Sequence, residues 1–194
     1  NSRVIAGYPD FIAGLNPLKQ VSLFHNRSIM KHKYLLIIST CFLFVLKGYS
    51  QFTDSFSDGD FTSNPAWTGN TADWIVNPAL LLQSNNTVAS STFYLSATNT
   101  LATTAQWEFY CQITFNPSSA NYIDVYLTAS ASDITLNTTN GYFVRIGNTD
   151  DEISLYRKDA GGAVVKIIDG VNGILNTSNN VMKIKVFRNA ANLW

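Results

Sequence analysis

Three groups of residues have the types and spacing to do chemistry. Asp54, Asp58 and Asp60 place three carboxylates within seven residues, with Gly59 between them. Such a turn is dense in the hard oxygen ligands that calcium takes, but it lacks the glutamate that closes an EF-hand loop at position twelve. Its competing reading is a solvated acidic turn. The second group is aromatic and polar: Tyr110 and Gln112, then Tyr122, Asp124 and Tyr126, then Arg145, then Glu152 and Tyr156. Each lies on the polar side of an alternating run. Tyrosine offers a rigid apolar plane with a polar tip, which suits a sugar ring and its hydroxyls. Aspartate and arginine add directional hydrogen bonds. The competing reading is structural, because aromatic pairs across strands stabilise any sheet by about 0.2–1 kcal/mol each.

The third group is a pair of glutamates, Glu108 and Glu152, the only ones after Ser50. Hydrolysis of a glycosidic bond needs two carboxylates about 5 Å apart for retention or about 6.5–9.5 Å apart for inversion. These two fall on separate predicted strands, and Asp124 is the carboxylate that could meet Glu108 across strands. Asp150-Asp151-Glu152 reads as a solvated hairpin turn, and Cys111 as a small buried hydrophobe.

Composition removes most other chemistries. The 194 residues are 46% hydrophobic and 13% charged, which is globular rather than disordered. Formal net charge is zero, but six of the thirteen Lys and Arg lie in residues 1–50 with one acid, Asp10. Residues 51–194 therefore carry seven bases against twelve acids, which gives no electrostatic footprint for nucleic acid. Both histidines, His25 and His32, precede residue 51, and Cys111 is the single cysteine after it. This excludes from residues 51–194 a Ser-His-Asp or Cys-His centre, histidine-ligated zinc and an internal disulfide.

The elements that must position the candidates begin after Ser50. Met30-Lys31-His32-Lys33 is a short basic region, Tyr34 to Leu46 is an apolar run, and Gly48 and Ser50 are small residues ahead of Gln51. That is the pattern of a secretory signal peptide cleaved before Gln51. The run would span about 20 Å as a helix, short of a bilayer core of about 30 Å, so membrane contact is expected only during export. Residues 1–29 precede this initiator without a sustained period and read as leader or an over-extended start. The expected product is secreted or cell-surface.

Residues 51–194 read as one all-β domain, long enough to bury roughly 70% of its unfolded surface. Trp107, Phe109, Cys111, Ile113 and Phe115 alternate with Glu108, Tyr110, Gln112 and Thr114, and Asn116-Pro117 ends that strand. Ile123, Val125 and Leu127 alternate with Tyr122, Asp124 and Tyr126. Further strands are expected at 142–146, 152–156, 164–168 and 181–188, and earlier at 52–56, 74–76, 80–82 and 93–95. Turn signals stand at 147–150, 169–170 and 189–192. Leu193-Trp194 reads as the start of another strand, so a longer protein is expected. Short strands at this spacing predict a two-sheet antiparallel β-sandwich.

A resemblance supports that reading. The runs Phe52-Thr53-Asp54-Ser55-Phe56-Ser57-Asp58-Gly59-Asp60-Phe61, Asn64-Pro65-Ala66-Trp67-Thr68-Gly69, Trp107-Glu108-Phe109, Phe115-Asn116-Pro117, Gly141-Tyr142-Phe143-Val144-Arg145-Ile146-Gly147 and Ser154-Leu155-Tyr156-Arg157 stand in this order. Together the segment resembles the N-terminal concanavalin A-like (laminin G-like) jelly-roll module of large secreted surface proteins of Bacteroidetes-type bacteria. The resemblance implies downstream domains in the same chain, such as a lamin-tail and a sorting signal. It also implies a structural calcium near the N-terminal strand, here at Asp54, Asp58 and Asp60. Glucanases of that fold carry two Glu on one strand in a pattern like E-x-D-x-x-E, which is absent here, so no catalysis is expected. The expected function is non-catalytic binding of carbohydrate (a polysaccharide or glycan) or extracellular matrix through Tyr110, Gln112, Tyr122, Asp124, Tyr126, Arg145 and Tyr156. The rival is a structural spacer that presents downstream domains.

Overall fold

The computed structural model describes residues 52–194. The leader expected over 1–29 and the signal peptide expected over 30–50 lie outside the described residues. Over the described residues the chain is all-β and antiparallel. Its strands are β1 (Thr68–Gly69), β2 (Trp74–Val76), β3 (Leu82–Ser84), β4 (Leu95–Ser96), β5 (Ala105–Ile113), β6 (Tyr122–Ala129), β7 (Gly141–Gly147), β8 (Glu152–Lys158), β9 (Val164–Ile168) and β10 (Asn180–Arg188). A 3-10 turn at Thr71–Asp73 is the one helical element among the described residues. The sheet that carries most of the candidates runs β6-β7-β8-β9, β5 pairs with β10, and β1-β4 and β2-β3 form two short ribbons.

Side-chain alternation explains how the two larger sheets meet. Phe109, Cys111 and Ile113 of β5 and Ile184 of β10 share one buried cluster with Ile123, Val125 and Leu127 of β6, Val144 and Ile146 of β7 and Leu155 of β8. Alternating residues of β5, β6, β7, β8 and β10 therefore enter a core common to both sheets, to which β9 adds none, and this is the layered packing of a sandwich. Burial at Cys111 pushes its thiol up to about 12, so it stays a protonated apolar filler. Trp107, Trp194 and Tyr142 close one end of this core, with ring centroids 5.5 Å apart for Trp107–Trp194 and 4.8 Å for Tyr142–Trp194.

The first third of the described chain builds a second core. Phe56, Trp67, Trp74, Leu82, Phe93 and Leu95 pack together, with Trp74 against Phe93 at 5.2 Å and Phe52 against Trp67 at 5.7 Å. Here the strand boundaries differ from the sequence expectation. Residues 52–56 are not a strand: Asp54 Oδ1 accepts the Phe56 N–H at 2.8 Å, Phe56 takes a positive φ of 54°, and the Gly59 N–H closes the turn on Phe56 O. An aspartate that bonds its own backbone two residues on competes with a sheet ladder. The strand expected at 80–82 begins at Leu82, because Asn77 Oδ1 accepts the Ala79 and Leu81 N–H groups and holds a turn with Leu80 at φ 60°.

Candidate functional site

The side of the β6-β7-β8-β9 sheet opposite the shared core is a grid of polar and aromatic residues. Strand register sets its rows. Tyr122 stands across from Gly147 and Gly147 from Glu152; Asp124 from Arg145 and Arg145 from Ser154; Tyr126 from Phe143, Phe143 from Tyr156, and Tyr156 from Lys166. Five of the seven residues expected in the ligand face, Tyr122, Asp124, Tyr126, Arg145 and Tyr156, are thereby brought together.

Arg145 is the centre of the grid. Its Nε and Nη2 donate to Asp124 Oδ1 and Oδ2 at 2.8 and 3.0 Å, a two-pronged pair. Its guanidinium lies 4.2 Å from the Tyr122 ring centroid, 5.1 Å from Tyr156 and 5.3 Å from Phe143. Burial works against the charge on Arg145, but the Asp124 carboxylate outweighs it and holds the guanidinium above its ordinary range. Phe143 stacks between Tyr126 and Tyr156, with ring centroids 4.9 and 5.5 Å apart and planes inclined by 24° and 10°.

The neighbouring charges are tied just as closely. Glu152 is 2% exposed, so it is not the solvated turn residue that its acidic neighbours imply. Its Oε1 accepts the Ser154 hydroxyl and the Lys166 ammonium, each at 2.6 Å. Lys166 also reaches Asp169 at 2.6 Å and Asp150 at 3.5 Å; its bonds to Asp169 and Glu152 raise its pKa, and the ammonium lowers that of Asp169. Glu152 Oε2 is buried and accepts no hydrogen bond. The Ser154 hydroxyl in turn accepts the Gly170 N–H at 2.8 Å, which fastens the chain after β9 to β8.

Tyr110 and Gln112 do not join this face. They lie on β5, in the other sheet, where Tyr110 bonds Gln112 at 3.4 Å and Gln112 Nε2 donates to Asn179 at 3.2 Å. The sequence alternation placed them correctly on a polar side, but alternation does not say which sheet a strand joins. Glu108 shares their strand and pairs with Lys183 at 2.6 Å, so it does not meet Asp124 or Glu152. Phe143 and Lys166 were not legible as members of the grid, whereas Ser154 stands with Glu152 and Tyr156 by alternation against Ile153 and Leu155. Phe143 is apolar and alternates with residues of the opposite side, and Lys166 interrupts an otherwise aliphatic strand.

The three aspartates of the acidic turn are engaged separately. Asp54 is 8% exposed, and its Oδ2 accepts the Trp67 indole N–H at 2.7 Å. Burial leads the effects on its carboxyl and raises its pKa. Asp58 accepts the Asp60 N–H at 3.1 Å. Asp60 accepts the Thr62 N–H and hydroxyl at 2.8 Å and the Ser63 hydroxyl at 2.5 Å, and these bonds hold it down at about 2. Among the described residues, no three His, Cys, Asp or Glu side chains converge as a metal-binding group. The turn thus uses its oxygens to fix backbone and the Trp67 ring.

The chain matches no family model, no curated protein and no solved structure.

Proposed function

We propose that the domain is a secreted, non-catalytic sandwich module of the concanavalin A-like jelly-roll kind, part of a larger surface protein, that binds carbohydrate on the outer face of β6–β9. The observation that supports this is Arg145: a guanidinium locked by Asp124 with a tyrosine ring 4.2 Å away. A donor fixed beside an aromatic plane is the pairing a pyranose needs, because the ring takes the apolar face of the sugar and the donor takes a hydroxyl without a new ordering cost. Tyr122 and Tyr126 are half-buried and stay reachable, whereas Asp124 and Glu152 are held beneath and orient the basic groups.

The test is a glycan array read with the full chain and with the Tyr122→Ala/Tyr126→Ala variant. Each anchor is expected to contribute more than about 1 kcal/mol, so the double variant loses binding by well over tenfold. Retention of the full signal would contradict the reading. The second reading is a spacer that presents downstream domains. The near-complete burial of Asp124 and Glu152 favours it, because a polar grid whose charges neutralise each other also serves to brace a sheet. Absence of glycan binding with an intact fold would select it.

A further inference from the structure

Among the described residues, β9 pairs with β8 on one side and with no strand on the other, and the shared core takes no residue from it. Val164, Val165, Ile167 and Ile168 are all exposed. The chain beyond β9 keeps to the same edge. The Gly170 N–H donates to Ser154 Oγ, the Gly173 N–H to Asp150 O and the Leu175 N–H to Asp151 O. Val171 and Ile174 on that stretch are exposed as well. Six aliphatic side chains therefore line one edge of the larger sheet.

Backbone direction decides what such an edge can accept. The Asp159 N–H donates to Ala163 O at 2.8 Å, so Asp159 and Ala163 form a hydrogen-bonded pair. Bonded and non-bonded pairs alternate along an antiparallel ladder. Lys158–Val164 and Tyr156–Lys166 are therefore non-bonded pairs, and the N–H and C=O groups of Val164 and Lys166 point away from β8. A lysine commonly guards an edge of this kind. Lys166 does not, because its ammonium is bound back to Glu152 and Asp169, each at 2.6 Å. The bulge at Ile167 ends the regular ladder and leaves residues 163–166 open to pairing.

A second copy of this chain matches that stretch by symmetry. Antiparallel pairing about a two-fold axis at Val165 sets Val164 against Lys166 of the second copy, a bonded pair on each side of the axis. An axis at Lys166 would set two ammonium groups against each other and carry Ile167 into the ladder, so Val165 is the better centre. Val164 and Lys166 lie on the outer side, so the outer faces of the two copies continue one another as two four-stranded sheets join. The area agrees. The six side chains leave roughly 400–500 Å² of mostly aliphatic surface in water, the size of the largest patch on a soluble monomer, which is often functional. A stable interface takes about 800 Å² from each partner, and in homodimers about 65% of it is apolar. This edge supplies most of that apolar share.

We propose that this edge is a homodimer interface, in which β9 of two copies pairs antiparallel about Val165 and the aliphatic side chains of residues 164–174 close over the joint. The test is amide hydrogen exchange by NMR, with sedimentation equilibrium, on the full chain over a concentration series. The expected result is a dimer that grows no further. The Val164 and Lys166 amides are protected at high concentration and exchange on dilution, while the Val165 amide, which faces β8, stays protected throughout. Val164→Pro removes an outward donor and leaves the β8 ladder its bonds, so it should raise the dissociation constant at least tenfold. Val165→Glu sets two carboxylates at the axis and gives the same readout if the proline variant does not fold. Phe187→Ser, at an exposed ring of β10, should leave the dimer intact. A monomer at every concentration would overturn the proposal. So would a dimer whose Val164 and Lys166 amides exchange freely, open-ended assembly, or a dimer lost with Phe187→Ser and kept with Val164→Pro.

Discussion

At the scale of single residues, the fold depends on acids that act through hydrogen bonds rather than through exposed charge. Asp124 is the clearest case. It is 1% exposed and carries both prongs of the Arg145 pair. Removing one member of a buried pair leaves the other charge uncompensated, at a cost of about 3–5 kcal/mol. Asp124→Ala is therefore expected to lower the urea midpoint by an amount equivalent to about 3–5 kcal/mol. A change below 1 kcal/mol would show that Arg145 finds other partners. At this scale the sequence was only partly legible. The identities of Tyr122, Asp124, Tyr126, Arg145 and Tyr156 follow from their polar-side positions. The burial of Glu152 does not, because an acid following Asp150 and Asp151 at a turn has the composition of a solvated loop.

At the scale of elements, legibility tracks burial. β5, β6 and β10 bury one side in the shared core, so apolar and polar residues alternate cleanly and their positions were expected within a residue or two. β7 and β8 bury residues on both sides, with Phe143 and Tyr156 opposite Val144 and Leu155, so alternation separates their two faces but does not show that the polar side is buried as well. The segment before β1 misled for another reason. Phe52 and Phe56 look like strand residues, but Asp54, Asp58 and Asp60 each cap a local turn that outcompetes the ladder. The join between β9 and the following loop is a further tight point. A Cβ on Gly170 would run into the Ile153 backbone, and the Gly170 N–H is the donor that holds Ser154. Gly170→Ala is expected to destabilise the fold by about 1–3 kcal/mol, as crowding in a packed site does, and this is read from thermal or urea unfolding. An unchanged midpoint would mean that the loop moves away without loss and that the Ser154 bond carries little.

At the scale of the molecule, two cores divide the work. The aromatic cluster around Trp67, Trp74 and Phe93 belongs to the first third of the described chain, and the aliphatic cluster joins the two larger sheets. The larger sheet presents a different surface on each side: an outer grid of tyrosines and fixed basic groups, and an inner side that is core from β6 to β8. β6 and β9 are the two edges of that sheet, and Val164, Val165, Ile167 and Ile168 of β9 are exposed, with a bulge between β8 and β9 that breaks the regular ladder along that edge. The all-β, antiparallel character is legible in the sequence, but the partition is not: the described strands form one four-stranded and three two-stranded sheets rather than two, and β5 joins β10 rather than the tyrosine-bearing strands. That topology gives the account its sharpest control, because Tyr110 and Tyr122 are chemically alike and lie on different sheets. The decisive measurement is affinity electrophoresis of the full chain through gels that contain a soluble polysaccharide active on the glycan array. The account predicts retardation of the wild type and of Tyr110→Ala, and free migration of the Tyr122→Ala/Tyr126→Ala variant. Free migration of Tyr110→Ala together with retardation of the double variant would contradict it.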